Sequence, residues 1–197
     1  MKKEFKIISE LIEEKSRALD VGCGDGNLMK YLIENKTKDI RGLEISKESV
    51  QNCLSKGLTV IEGNAENDLK QFPDHSFDFV ILSQTLQAFL YPEEVIAELL
   101  RVGRKVIVTI PNFGHWNIRL QLLIKGTMPI TKNLPNEWYN TPNLHMCTIQ
   151  DFVNFCKKQN IKIDRSLCLT NEKISEMTNK NMFYKNVLSQ LGIFLIQ

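Results

Sequence analysis

The glycine-rich run LDVGCGDG at residues 19–26 constrains the fold of this chain more than any other feature. It follows a short apolar segment directly, and Glu44 ends the next apolar segment about twenty residues further on, a spacing typical of dinucleotide-type folds. Glycines let a backbone turn sharply and bring its N–H groups close to a ligand. A carboxylate at the second strand end can accept hydrogen bonds from two ribose hydroxyls. The pattern predicts a binding site for an adenosine-bearing cofactor.

Apolar segments alternate with amphipathic ones along most of the chain, which predicts an α/β fold. We expect a doubly wound, Rossmann-like sheet of seven mostly parallel strands with helices on both faces, in one domain spanning residues 1–197. The predicted strands are 18–21, 40–45, 58–62, 77–82, 105–110, 161–169 and 192–196. The predicted helices are 3–15, 27–35, 46–57, 92–100, 116–125 and 149–159.

Composition excludes several function classes. The formal net charge of +2, with basic and acidic residues interspersed, does not favour nucleic acid or an anionic membrane as a partner. No apolar run approaches the roughly twenty residues that span a bilayer. Five cysteines without a CxxC pair fit reduced thiols, so we expect a cytoplasmic protein. His145 and Cys147 lack a second ligand pair, and we therefore predict no metal site.

Acidic residues in the glycine loop indicate which cofactor it takes. A nicotinamide dinucleotide presents a pyrophosphate, which Asp20 and Asp25 would repel. S-adenosylmethionine carries a sulfonium and an ammonium but no phosphate, and the loop therefore favours S-adenosylmethionine or its product S-adenosylhomocysteine. The other interpretation is a tight strand-to-helix turn that binds nothing.

Several motifs resemble known families. DVGCGDG at 20–26, Glu44 and SFD at 76–78 resemble class I S-adenosylmethionine-dependent methyltransferases. More specifically, SQTLQ at 83–87, PNFGHW at 111–116 and LPNEWYNTPNLH at 134–145 resemble the MetW family, over almost the whole chain. This resemblance implies a role in methionine biosynthesis, in association with a homoserine O-acyltransferase of the α/β-hydrolase type.

The resemblance also implies roles for individual residues. Gly22 and Gly24 would line the methionine end of the cofactor, Asp20 would fix the loop and the cofactor's amino group, and Glu44 would hold the ribose. Asn64 stands where related methyltransferases commonly have an aspartate facing adenine, and its amide oxygen can still accept a hydrogen bond. The predicted cofactor site comprises Asp20, Gly22, Cys23, Gly24, Glu44, Ile45, Asn64, Ala65 and Ser83.

Catalytic residues are harder to predict. His115 and His145 are candidate bases, but each could instead cap a loop or contact a backbone carbonyl. The segment 112–148, rich in Asn, Pro and aromatic residues, is predicted to be a lid, a partner surface or both. Its Trp116, Trp138 and Tyr139 could anchor a partner or pack onto the sheet.

Two functions are consistent with these observations. The first is a MetW-like protein that binds S-adenosylmethionine and supports a homoserine O-acyltransferase of the MetX type. The alternative is an S-adenosylmethionine-dependent methyltransferase acting on an unidentified small molecule.

Overall fold

The computed structural model describes residues 3–131 and 134–197. The strands in these ranges are β1 (Ala18–Val21), β2 (Ile40–Glu44), β3 (Val60–Glu62), β4 (Phe77–Ser83), β5 (Gly103–Pro111), β6 (Ile163–Thr170), β7 (Lys173–Glu176) and β8 (Leu191–Ile196). The helices are α1 (Lys3–Leu11), α2 (Asn27–Asn35), α3 (Lys47–Ser55), α4 (Ala65–Asp68), α5 (Pro92–Val102), α6 (Trp116–Lys125), α7 (Ile149–Lys158) and α8 (Met182–Leu188).

The described strands form one eight-stranded sheet in the order β3-β2-β1-β4-β5-β8-β6-β7. Strands β1 to β5 pair in parallel, whereas β8 runs antiparallel to both β5 and β6. The strand order reverses between β1 and β4. After β3 the chain crosses back over the sheet and adds β4 on the other side of β1. In open α/β sheets a ligand binds beyond the carboxyl ends of the strands at such a reversal.

The sheet has one strand more than the sequence predicted. The extra strand, β7, pairs with β6 through a hairpin whose two turn residues are Asn171 and Glu172. Both have positive φ, 44° and 68°, as a type I′ turn requires. The usual sequence signal for this turn is Asn-Gly. Here Glu172, a residue type that rarely adopts positive φ, stands in place of the glycine, so the hairpin was not predicted.

Helices cover both faces of the sheet, as predicted. One core cluster packs α1 and α2 against the first face through Ile8, Met29 and Ile107, among other residues. The second cluster packs α5 and α7 against the opposite face through Leu99, Phe152 and Val106. Because helices cover both faces of the sheet, a ligand would reach the carboxyl ends of β1 to β5 from the edge where these strands end.

The segment 112–148 contains the predicted helix α6, followed by irregular chain with one isolated β-bridge between Thr131 and Leu134. Lys132 and Asn133, which belong to this segment, lie outside the described residues. Across the described ranges, no helix is long and apolar enough to cross a membrane.

Candidate functional site

The glycine loop lies at the reversal point of the sheet, between β1 and α2. Gly22 has a φ of 69°, and a Cβ there would come within 2.5 Å of Thr85 Cγ2, just beyond β4. Gly24 has a φ of 53°, and nothing lies within 4 Å of the position of its absent Cβ. Gly22 is thus required by close packing, while Gly24 leaves its backbone open toward the space above the sheet.

Glu44 lies at the carboxyl end of β2 and is directly bonded to this loop. Its Oε2 accepts a hydrogen bond from Gly24 N at 2.8 Å, and its Oε1 accepts one from Ser46 N at 2.8 Å. Ser46 in turn caps α3. Because each carboxylate oxygen can accept more than one hydrogen bond, both oxygens of Glu44 keep capacity for ribose hydroxyls.

Asp20 is a buried carboxyl group at the end of β1. Its residue is only 1% exposed, and within residues 3–131 and 134–197 its carboxylate forms no hydrogen bond. Burial, followed by the nearby carboxylates of Glu44 and Glu4, raises its pKa to about 7. A buried acceptor without a partner is costly, and a cationic ligand group would relieve that cost.

Three residues of the predicted cofactor site, Ile45, Asn64 and Ala65, lie beyond β2 and β3. Ile45 follows β2 and is 65% exposed, which leaves an apolar side chain beside the loop. Asn64 follows β3 and caps α4, because its side-chain oxygen accepts a hydrogen bond from Glu66 N at 3.0 Å. Ala65 is buried as the first residue of that helix. The cap fixes the direction of the Asn64 amide at this edge.

Cys23 and Ser83, two further residues of the predicted cofactor site, have side chains that contact other parts of the protein. The Cys23 side chain packs into the core against Gly42, whose added Cβ would approach Cys23 Sγ to 2.5 Å, and burial raises the pKa of its thiol. Only the Cys23 backbone can face a ligand. Ser83 ends β4 at the expected edge, but its hydroxyl donates to Glu4.

Glu4 is a residue that the sequence analysis missed. It projects from α1 and is 4% exposed. Its Oε1 accepts hydrogen bonds from Ser83 Oγ at 3.0 Å and Thr109 Oγ1 at 2.6 Å, and its Oε2 accepts one from the Gln84 amide. A sequence signal existed, since Glu4 precedes Ile8 and Leu11 at helical i+4 and i+7 spacing and so lies on the buried face.

The two candidate histidines both make structural contacts. His115 caps α6: its Nδ1 accepts from Asn117 N at 3.3 Å, which places the proton on Nε2. That Nε2 is buried without a partner, and burial lowers the pKa of His115. His145 is exposed, and its Nε2 lies 3.4 Å from the Leu90 carbonyl oxygen.

Structural comparison defines the class of this fold. A S-adenosylmethionine-dependent methyltransferase from Thermotoga maritima superposes with a TM-score of 0.70 at 18% identity, covering 98% of this chain and 86% of that chain. The [4+2]-cyclase SpnF superposes with a TM-score of 0.68 at 16% identity, covering 99% and 80%. The chain therefore has the fold of S-adenosylmethionine-dependent methyltransferases, a fold that also serves other reactions.

Within that class the sequence is more specific. The family model described as methionine biosynthesis protein MetW matches residues 2–196. The chain is also 33% identical over 172 residues to the bifunctional methionine biosynthesis protein MetXA/MetW of Rhodopirellula baltica. That alignment covers 81% of this chain but only 27% of the longer relative. The chain belongs to the MetW family of methionine biosynthesis proteins.

Proposed function

We propose that this protein binds S-adenosylmethionine at the glycine-loop site and supports the activity of a homoserine O-acyltransferase of the MetX type. The observation that supports the role with an acyltransferase is the Rhodopirellula baltica relative, whose name joins MetXA and MetW in one chain. Two functions fused in one protein commonly act together when they are separate chains. The smaller chain then has to recognise its partner through its own surface.

The site residues fit the cofactor. Asp20 is a buried carboxyl group without a hydrogen-bond partner in the described residues, which suits the cofactor's ammonium. Glu44 keeps acceptor capacity for the ribose, and the exposed Ile45 offers an apolar surface for adenine. When bound, S-adenosylmethionine would supply an electrophilic methyl group. The residues around it hold and orient the molecule.

The partner surface lies on α6. Apolar side chains of this helix follow an i, i+4, i+7, i+8 pattern, which ordinarily faces a core. Here the four residues are exposed by 49%, 42%, 83% and 72% at Trp116, Leu120, Leu123 and Ile124. We name them the α6 stripe. Exposed apolar residues in such a contiguous row mark a protein interaction site.

A second aromatic pair lies in the same irregular segment. Trp138 and Tyr139 are each 70% exposed, and their rings contact edge-to-face with centroids 5.7 Å apart. Large aromatic side chains dominate binding energy at protein interfaces. Together with the α6 stripe they support the partner-surface role of segment 112–148 over a packing role for these side chains.

Co-expression with the homoserine O-acyltransferase of the same organism tests the proposal. We expect the two proteins to copurify and the acyltransferase rate to rise in the complex. No complex and an unchanged rate would contradict the partner role. Calorimetry with S-adenosylmethionine tests the cofactor separately, because ligand binding requires no partner.

One observation favours the alternative, methyl transfer to a small molecule. Beside the carboxyl end of β5 lies a cavity of about 180 Å³, lined by Asn112, His115, Asn117 and Thr131, among others. Incubation with methyl-labelled S-adenosylmethionine and a metabolite extract tests this function, which fails if the label stays on the cofactor.

A further inference from the structure

Glu4 brings a third carboxylate to the site from a different part of the chain. Helix α1 packs on the first face of the sheet through Ile7 and Ile8, and its first turn reaches the carboxyl ends of β4 and β5. There the Glu4 carboxylate accepts three side-chain hydrogen bonds, one each from Ser83, Gln84 and Thr109. All three donors are neutral side chains, and within the described residues no lysine, arginine or histidine pairs with Glu4.

The turn after β4, whose side chains contact Glu4, has an uncommon backbone conformation. Gln84 has a φ of 56°, which costs free energy for a non-glycine residue. Its N–H donates to Thr109 Oγ1 at 3.1 Å, and its side-chain amide donates to Glu4. This strain persists because several hydrogen bonds fix the turn. The turn therefore holds the Glu4 carboxylate at a fixed position.

The topology places Glu4 beyond the ribose side of the site. Adenine would lie toward β3, next to Asn64, and the ribose would lie at the end of β2, next to Glu44. A chain attached to the ribose 5′ carbon then runs the other way, past β1 toward β4. That direction leads to Asp20 and Glu4, so the amino-acid part of the cofactor and its sulfur would lie on the side of these two carboxylates.

The charge at this end of the site is negative. Both charged groups that act on Asp20 are carboxylates, Glu44 and Glu4. In the part of the chain that the structure describes, none of the three forms an ion pair or hydrogen bond with a lysine, arginine or histidine. Asp20 is in addition buried, and its carboxylate makes no hydrogen bond within the described residues.

We propose that Glu4 makes the site select the charged sulfonium of S-adenosylmethionine over the neutral thioether of S-adenosylhomocysteine, while Asp20 faces the ammonium that both molecules carry. This inference rests on the proposed function, because it requires that the site binds these molecules. The two ligands differ by one methyl group and one positive charge. A carboxylate such as Glu4, with no lysine, arginine or histidine paired to it in the described residues, binds the sulfonium more tightly than the thioether, and the protein then responds to S-adenosylmethionine itself and not to its demethylated product.

Calorimetry with three ligands tests the inference on the wild-type protein. The ligands are S-adenosylmethionine, S-adenosylhomocysteine and an analogue with a primary ammonium in place of the sulfonium. We expect the two cationic ligands to bind about tenfold more tightly than the neutral one, since a single charge pair near a protein surface is worth one to a few kcal/mol. If the ammonium analogue binds as weakly as the thioether, a methyl contact and not charge sets the preference, and the inference fails.

Glu4→Gln tests the residue itself. The variant keeps the shape of the side chain and removes its charge, so the ratio between the sulfonium and thioether affinities should fall by about threefold or more. Glu10→Gln is the matched control, because Glu10 is an exposed residue of the same helix and should leave the ratio unchanged. An unchanged ratio in Glu4→Gln would assign the selectivity to other groups.

The outcomes separate the two proposals. Equal affinity of the wild-type protein for the sulfonium and the thioether overturns the selectivity and leaves cofactor binding in place. Failure of all three ligands to bind overturns the cofactor half of the proposed function and the selectivity with it. Copurification with the acyltransferase is independent of both results.

Discussion

The Oε2 of Glu44 accepts a hydrogen bond from Gly24 N at 2.8 Å, so the predicted ribose ligand and the predicted cofactor loop are bonded to each other. The same carboxylate also accepts from Ser46 N, at the start of α3. Glu44 therefore organises the site before any ligand arrives. A preorganised site loses less conformational freedom when it binds.

Replacement of Glu44 should weaken the cofactor site twice over. Glu44→Ala removes the acceptor for the ribose hydroxyls and also leaves Gly24 N without its partner. We expect the affinity for S-adenosylmethionine to fall by about a hundredfold, in keeping with the loss of two hydrogen bonds to a charged group. Titration calorimetry at constant salt measures this change.

Glu48→Ala is the control for this prediction, because Glu48 is an exposed acidic residue in the first turn of the adjacent helix α3. It should bind S-adenosylmethionine like the wild type. Equal binding by Glu44→Ala would refute the ribose role of Glu44.

Asp20 makes the stability of the ligand-free protein depend on pH. Its pKa is raised from an ordinary 3.8 to about 7, so between these values the folded state binds more protons than the unfolded state. The free energy of unfolding therefore falls as pH rises from about 4 to about 7 and stays low above that. Asp20→Asn should remove this dependence and raise the Tm at pH 8 by about 5 °C. Thermal unfolding at several pH values tests this.

The same substitution should have the opposite effect on ligand binding. Binding of an ammonium beside Asp20 favours its ionised form, so the affinity of the wild-type protein for S-adenosylmethionine should rise as pH increases from 6 to about 7. Asp20→Asn should bind weakly at every pH. A variant that gained stability and kept its affinity would show that Asp20 does not contact the cofactor.

The sequence predicted the part of the site that depends on local chain geometry. Strand β1 and helix α2 have their predicted bounds, and the glycines between them adopt positive φ. These features follow from residues that are adjacent in sequence, where backbone sterics and hydrophobic period decide the outcome. The Ser46 cap of α3 is a contact of the same local kind, because its side chain accepts a hydrogen bond from Ser49 N.

Long-range contacts were not predicted. Glu4 and Thr109 are 105 residues apart, yet they share a hydrogen bond, and no local pattern specifies such a pair. The hairpin at Asn171 and Glu172 was missed because a glutamate at positive φ contradicts its intrinsic preference. Tertiary pairing between β6 and β8 compensates for that cost.

Asn112, in the PNFGHW motif, connects neighbouring segments of the chain through four side-chain hydrogen bonds. Its Nδ2 donates to the carbonyl oxygens of Asn186 at 2.7 Å and Ser189 at 2.8 Å. Its Oδ1 accepts from Gly114 N at 2.9 Å and Ile149 N at 3.2 Å. Asn112→Ala should lower the free energy of unfolding by about 3 kcal/mol, since it leaves buried backbone groups without partners.

Denaturant unfolding measures that loss. Asn140→Ala is the control, because Asn140 is exposed in the same irregular segment and should change stability by less than about 0.5 kcal/mol. An Asn112→Ala protein as stable as the wild type would mean that water or a shifted loop replaces the hydrogen bonds of the Asn112 side chain.

The α6 stripe gives the sharpest test of partner binding. Leu123 and Ile124 are its most exposed members, so the double substitution Leu123→Asp/Ile124→Asp should leave folding and S-adenosylmethionine affinity unchanged. Two carboxylates buried at an apolar interface would be desolvated without partners, and we expect copurification with the acyltransferase to be lost. Leu54→Asp, at an exposed position on α3, should still copurify. If the double variant retains the complex at wild-type affinity, the partner binds elsewhere and the α6 stripe has another role.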